Sequence, residues 1–472
     1  MIGITSYGAY VPLYRLPRSE IARTWGVAQS GPGERAVRNH DEDSLTMAVA
    51  ACLDCLGGLD RRKVDGFFLA TTTPPYAEKM SSTLGAFALD LTPQARTLDF
   101  SNSLRVGTGA LLCAADAIKA GSLKQVLVAA ADCRMAQTGG ELEQTLGDGA
   151  AAFLLGDTEV AVSIQDSLSL SQEITDVWRS YGDEFLRMWE DRFSLDEGYF
   201  HILPEAISTL LKRNHLAPEK LARAVFYGPN ERRHQEMARR LGLSQGQVQD
   251  ALLGSVGNTG AALPLMMLVA ALEEAKPGDH ILLAGYGNGC DVLLLQATEH
   301  ITKIKGKRGI KGHLASKKPL PSYQKYLLWR GLVPVAPAAR PEREPTSLTA
   351  VWREGQQNLP LYGTRCRQCG SQQYPGQRVC VKCHSKDEYD LVRLSDKKAT
   401  IFSFTQDNLA ASVDPPVVVA WVEFEGGGRA PFEMTDRDPQ EVKVGAPVEF
   451  TFRKLYSDRG VHNYYWKIRP GR

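Results

Sequence analysis

The chain has 472 residues, more than one hydrophobic core usually organises, so two or more domains are expected. Its 43% hydrophobic and 23% charged residues, with a formal net charge of +1, exclude a global field that would recruit nucleic acid or an anionic membrane. No run of 18 uninterrupted apolar residues occurs, and the N-terminal "MIGITSYGAYVPLYRLPRSE" has no basic region leading into an apolar core, so no spanning helix or leader is expected and the chain reads as cytoplasmic.

In chain order, "DEDSLTMAVAACLDCL" opens with acidic and Ser residues suited to the positive end of a helix and then repeats apolar residues at three and four. Cys52 and Cys55 lie three apart there and are expected to pack in the core. From Val64 to about Thr298, apolar runs with strand character ("VDGFFLATT", "QVLVAAAD", "AAAFLLGD", "ARAVFYG", "HILLAGYG", "DVLLLQAT") alternate with helical patterns, the signature of a layered α/β domain. Within it, "DFSNSLRVGTGALLCAADAI" reads as a turn entering a helix, with Cys113 expected to face the core. Asp132 and Asp148 border Gly-rich turns and are expected to cap them, and His234 is expected at the surface beside Arg232 and Arg233. "GYGNG" lacks the full spacing and following helix of a dinucleotide-binding turn.

Lys303 to Lys318 carries seven Lys or Arg and no acid, which suits a solvated surface, and a helix in "SYQKYLLWRGL" precedes the Pro-rich linker "VPVAPAARPEREPTS". Beyond it Cys366, Cys369, Cys380 and Cys383 form C-x2-C-x10-C-x2-C, two thiolate knuckles that can close a tetrahedral site around zinc. Four sulfur ligands leave no place for substrate water, so this zinc staples the fold, and His384 is a bystander. From Tyr389 onward, short alternating strands separated by "GGGR", "DRDP" and "SDRG" read as a small barrel. Glu423 and Glu425 fall on its outward positions and would repel phosphates, which argues against nucleic acid. The expected domains are residues 1–335, a linker at 336–346, a helix and zinc ribbon at 347–388, and an OB-fold at 389–472.

The segments "ITSYGAYVPLYRL", "TTTPPYAEKMSSTLG", "ITDVWRSYGDEF", "VFYGPNERRHQEMARRLG" and "GNTGAALPLMMLVAALEEAKPGD" occur together in residues 1–335, which thereby resemble 3-hydroxy-3-methylglutaryl-CoA synthase, in particular its archaeal-type branch in the thiolase superfamily. The remainder resembles the zinc-ribbon/OB-fold proteins that accompany thiolases and acyl-CoA synthases. The resemblance implies a layered α-β-α-β-α domain, a coenzyme A thioester as substrate, a homodimer, and a possible separate thiolase subunit as partner; neither nucleic acid nor membrane is implied.

It also places the family's three reactive groups. The family's cysteine lies four residues before the Thr of a G-T step, where this chain has Leu104 before Thr108. Its carboxylate lies four residues before the Tyr of a P-Y step, here Thr72 before Tyr76, and its histidine follows V-F, where "VFYGPN" has Tyr227. All three are replaced, while Pro229, Asn230, Gly257, Asn258, Gly287 and Gly289 still match. An oxyanion hole built from backbone N–H groups survives side-chain exchange, here that of Leu104 and those of the Gly287–Gly289 loop, with Asn258 as a further donor. Tyr227 is then the candidate for proton transfer. Three functions are compatible with these residues: carbon–carbon bond formation or cleavage of aldol or Claisen type without an acyl-cysteine; a non-catalytic scaffold or CoA-binding subunit of a thiolase complex; and a true hydroxymethylglutaryl-CoA synthase with a relocated nucleophile.

Overall fold

The computed structural model describes residues 1–336 and 346–471, which form two compact units. Unit one comprises Met1–Arg38, Asp43–Ala86 and Leu91–Tyr326; unit two comprises Asn39–Glu42, Phe87–Asp90 and Leu327–Arg472. All but the two ends of the linker expected at 336–346 lies outside the described residues. No described helix is long and apolar enough to cross a membrane.

Unit one is built on nine strands. Their order is Leu221–Phe226, His280–Tyr286, Gly289–Ala297, Val162–Ser171, Gly3–Tyr10, Gly149–Gly156, Val126–Asp132, Gly66–Ala70 and Arg96–Phe100. The junction in the middle is thin, because Gly3–Tyr10 and Val162–Ser171 pair only through Gly3 with Ser163 and Ile4 with Val162. Two halves result. Both central strands of the first half, "VLVAAAD" and "GAAAFLLG", are buried along their whole length, as continuous apolar runs covered on both faces should be.

The helices Val106–Lys119 and Leu263–Glu274 each pack on strands of both halves and so form a middle layer. Ser44–Leu56 covers the outer face of one half, and Phe200–Arg213 that of the other. The result is the expected α-β-α-β-α layering. Ser44–Leu56 starts where the acidic run predicted, with a reciprocal capping box: Asp43 Oδ1 accepts from the Thr46 amide at 2.9 Å and Thr46 Oγ1 from the Asp43 amide at 2.8 Å. Cys52 and Cys55 are buried within it, as expected.

Cys113 departs from expectation and is exposed. The buried stripe of its helix runs through Ala110, Leu111, Ala114 and Ile118, and Cys113 stands about 200° round the axis from Leu111. The basic run is largely solvated, yet several of its side chains fasten the surface: Lys307 Nζ donates to the Cys55 and Gly57 carbonyls, and Lys311 pairs with Glu274 at 3.0 Å.

Unit two contains the helix Leu348–Asn358, a three-stranded ribbon sheet (Gln372–Gln373, Tyr362–Cys366, Tyr389–Arg393) and a closed five-stranded barrel. The four expected sulfurs all lie within 4.8 Å of one another, with Cys366–Cys383 and Cys369–Cys380 each at 3.5 Å. Tetrahedral Zn–S bonds of about 2.3 Å require sulfurs about 3.8 Å apart, so the thiolates fit the ion. The knuckles close alike, with the Gly370 amide on the Cys366 carbonyl and the His384 amide on the Cys380 carbonyl, both at 3.0 Å. His384 takes the left-handed position (φ +62°) that Gly370 (φ +70°) holds in the other knuckle, and it does not belong to the ligand cluster, which the four cysteines complete.

Along the barrel strand Val417–Phe424, Val418, Ala420, Val422 and Phe424 point inward, while Glu423 points out as the alternation predicted. The barrel also buries charge. Arg453 reaches Asp41 at 3.1 Å and Glu42 and Asp436 at 2.8 Å, while Lys467 lies 3.1 Å from Asp41. Such a network holds only when complete, because removing one partner strands a desolvated charge.

Two outcomes are expected. Chelation of zinc, or Cys380→Ser, should unfold the ribbon, seen as loss of one zinc per chain by elemental analysis and a lowered melting transition. Asp41→Asn should destabilise unit two by about 3–5 kcal/mol at neutral pH in denaturant unfolding. The Lys467 and Arg453 charges hold the Asp41 carboxyl below the usual carboxylate range, against the effect of burial. Its stabilisation is therefore complete above the unfolded value of about 4 and is lost as pH falls below it, so the asparagine variant should lose less stability on acidification than the parent chain.

Candidate functional site

The residues singled out from sequence lie at the C-terminal ends of strands, where loops are free to leave the sheet and ligands bind in open α/β folds. Thr71–Thr73 follow the strand Gly66–Ala70, Asp132 ends Val126–Asp132, Tyr227 follows Leu221–Phe226, and Gly287 sits between His280–Tyr286 and Gly289–Ala297. The first two come from one half of the sheet and the last two from the other.

Leu104 occupies the turn just ahead of Val106–Lys119. Its amide has no acceptor among the described residues and lies against Gly287: a Cβ on that glycine (φ +154°) would stand 3.0 Å from the Leu104 nitrogen and 2.9 Å from Ser103 Oγ. Glycine is thus required for the loop to approach the helix entrance, where the helix dipole adds positive potential. Of the backbone donors expected here, the Gly287 amide is taken by the Gly289 carbonyl at 3.0 Å. The Gly289 position serves packing, since a Cβ there would stand 2.1 Å from the Leu170 carbonyl oxygen. Ser103 Oγ donates to the Gly287 carbonyl at 3.0 Å and is pinned to the loop.

Tyr227 is buried, with 5% exposure, and its ring stacks on Tyr286 at 6.1 Å. Asn258 Nδ2 donates to the phenol oxygen at 3.0 Å, so the structure joins the two residues named as candidates from sequence. Arg134 completes the group: its Nη2 donates to Asn258 Oδ1 at 2.7 Å, and its charge acts on the Tyr227 phenol. Burial pushes the Tyr227 phenol above its ordinary pKa of 10, while Arg134 and Asn258 pull against that rise, so at neutral pH it carries its proton.

Thr72, which the resemblance sets at a carboxylate position, is itself bound to a carboxylate. Asp132 accepts from Thr72 Oγ1 at 2.9 Å and from the Thr72 amide at 2.7 Å, and also from Thr71 and Thr73 hydroxyls and the Ala261 amide. Asp132 therefore ties three loops together where a cap on its own turn was expected. Gly260 makes room for it, because a Cβ there would stand 2.3 Å from Asp132 Oδ2 and 2.7 Å from Arg134 Nε. Asp148 accepts from the Arg38 amide at 2.7 Å. His234 also departs from its expected surface place. It is 1% exposed and stacked on Phe226 at 4.3 Å, and burial pushes its pKa down to about 4. With Met237 and Ala238 it forms the buried face of Glu231–Arg240.

The sequence left Arg134 unassigned and gave Asp132 no more than a turn cap. The available signal was two charges closing the apolar strand "VLVAAAD" and its exit "CR", where a charge ends up either in water or in a site. Beside the group lies a cavity of about 300 Å³ lined by Arg18, Arg232, Arg233, Asn230, Pro229 and Thr145, among others. Asn258 touches two of these, donating from its amide to the Thr145 carbonyl at 2.8 Å and from Nδ2 to the Pro229 carbonyl at 3.4 Å.

Comparison with known proteins agrees with this architecture. Residues 211–294 match the 3-oxoacyl-[acyl-carrier-protein] synthase III C-terminal family, residues 361–388 the ChsH2 rubredoxin-like zinc ribbon domain and residues 391–453 the ChsH2 C-terminal OB-fold domain. Hydroxymethylglutaryl-CoA synthase of Pyrococcus horikoshii is 35% identical over 293 residues, which are 61% of this chain and 83% of that protein. The Methanosarcina mazei synthase is 31% identical over 348 residues, 71% of this chain and 99% of its own. In fold, a hydroxymethylglutaryl-CoA synthase crystallised with CoA superposes with a TM-score of 0.61 at 20% identity, covering 69% of this chain and 89% of that one. 3-Oxoacyl-(acyl carrier protein) synthase III of Pseudomonas aeruginosa gives 0.56 at 20% identity, covering 63% and 98%. The layered unit, the strand-end site and these relatives converge: the chain belongs to the hydroxymethylglutaryl-CoA synthase family of the thiolase superfamily, here continued by a zinc ribbon and OB-fold of the ChsH2 type.

Proposed function

We propose that the chain binds an acyl-CoA thioester and makes or breaks a carbon–carbon bond of aldol or Claisen type without an acyl-cysteine intermediate. One observation carries this reading: the alkyl side chain of Leu104 cannot hold an acyl group, yet the Leu104 amide is unspent and a buried phenol with its own donors stands in the same site. The amide at the positive end of Val106–Lys119 receives the thioester oxygen as charge develops on it, and stabilises the enolate shared by aldol and Claisen chemistry. Tyr227 moves the proton. The cavity lined by Arg18, Arg232 and Arg233 is also lined by Glu141, Asp191 and Glu231; with Arg18 held by Glu231 at 3.6 Å and Arg233 by Asp191 at 3.2 Å, Arg232 is the cation there that meets a phosphate of coenzyme A. The strand Arg96–Phe100, exposed at the end of the sheet, is the edge through which a second copy would pair in a homodimer.

Tyr227→Phe should lower turnover of the productive CoA ester by about 10²–10⁴-fold while leaving its affinity nearly unchanged. Retained turnover would remove Tyr227 from the chemistry, and an intact chain that binds CoA esters but turns over none would favour the scaffold. Incubation with acetyl-CoA followed by intact mass measurement should show no acetyl adduct. An adduct, with Ser103 as its nearest hydroxyl, would restore the reading as a synthase with a relocated nucleophile.

A further inference from the structure

Arg134 is 3% exposed, and its place beside Tyr227 is enforced from several sides. Asn258 Oδ1 accepts from Arg134 Nη2 at 2.7 Å and from the Gly260 amide at 3.0 Å, which fixes the orientation of the side-chain amide and leaves its Nδ2 to donate to the Tyr227 oxygen. The Arg134 charge also acts on that phenol and favours its anion. Arg134 Nε has no partner and backs onto Gly260, the one residue type that leaves space for it. The phenol oxygen thus accepts from Asn258, which Arg134 holds in turn, and the hydroxyl proton has no acceptor among the described residues. That is the arrangement of a group built to pass its proton to a ligand and to be held as an anion once it has done so.

We infer that Arg134 is a positioning residue which, through Tyr227, specialises this site for aldol-type exchange on 3-hydroxyacyl thioesters, as against Claisen-type exchange on 3-oxoacyl thioesters. This rests on the thioester reading above. An aldol addition moves one proton from the α-carbon of the donor thioester to the oxygen of the new alcohol and expels no leaving group, so one reversible proton carrier completes it. In cleavage, the tyrosinate takes the 3-hydroxyl proton, the Cα–Cβ bond breaks, and its electron pair forms the thioester enolate against the Leu104 amide. Tyr227 then returns the proton to the α-carbon, releasing a carbonyl compound and a shortened acyl-CoA. Claisen exchange instead transfers an acyl group to or from a thiol, for which Leu104 offers no attachment.

The test places a fluorotyrosine at 227 in the full chain and follows its ionisation by fluorine NMR. Arg134→Gln should move the midpoint upward by about one pH unit or more, and Arg134→Lys, which keeps the charge, by less. An unmoved midpoint in Arg134→Gln overturns the role of Arg134. Turnover is read with 3-hydroxybutyryl-CoA and 3-hydroxy-3-methylglutaryl-CoA against acetoacetyl-CoA. Cleavage of a hydroxy ester alone, with a rate that rises with pH and a rise displaced upward in Arg134→Gln, supports the assignment; equal cleavage of acetoacetyl-CoA overturns it. Turnover of none of the three with the titration shift present would overturn the thioester reading and leave the hold of Arg134 on the phenol standing.

Discussion

Asn258 lies between two strand ends that belong to opposite halves of the sheet. Its carbonyl accepts from Arg134, two residues beyond Val126–Asp132, and its amide donates to Tyr227, one residue beyond Leu221–Phe226. Neither half alone can present the phenol, because one supplies the ring and the other the charge that opposes its burial. A buried guanidinium is tolerable only with such partners, and a buried phenol keeps a usable proton only when its anion has donors waiting. The same junction admits Gly260 alone, whose missing Cβ leaves room for Asp132 and Arg134 side by side.

The other half of the chemistry depends on backbone. The Leu104 amide is aimed by the start of a helix that is wedged between both halves, and the Gly287 loop comes close only because it has no side chain. These features are indifferent to the loss of a thiol. Donors of this kind belong to the backbone frame and are kept whatever side chains the turn carries. At residue 72 the threonine hydroxyl is turned onto Asp132, a carboxylate from a neighbouring strand.

The second unit is held by different means. Its ribbon has too small a core to stand without its metal, and the two knuckles repeat one hydrogen-bond pattern around four sulfurs. Its barrel carries a charge network in which Asp41 and Glu42, more than 400 residues before Lys467 in a chain of 472, supply the acids for Arg453 and Lys467. Charges so buried tolerate no partial arrangement, so the network ties a short early segment to the last strands of the chain.

The layered domain, the zinc ribbon and the barrel were legible in sequence because each is written locally: apolar runs of strand length, paired CxxC steps and alternation are all properties of neighbours. The resemblance sets Leu104, Thr72 and Tyr227 at the places of a cysteine, a carboxylate and a histidine, and it too rests on the short motifs around them. Cys113 and His234 were misplaced because which side of a helix meets the core depends on what packs there, and a residue next to two arginines can still face inward. Arg134 had no sequence signal of its role and Asp132 was misread as a turn cap, since their partners Asn258, Tyr227, Thr72 and Ala261 lie up to 129 residues away and in different loops. A side chain's chemistry is set by the groups that desolvate it and bond to it, and for this site those groups are brought together by the meeting of two half-sheets that no local pattern records.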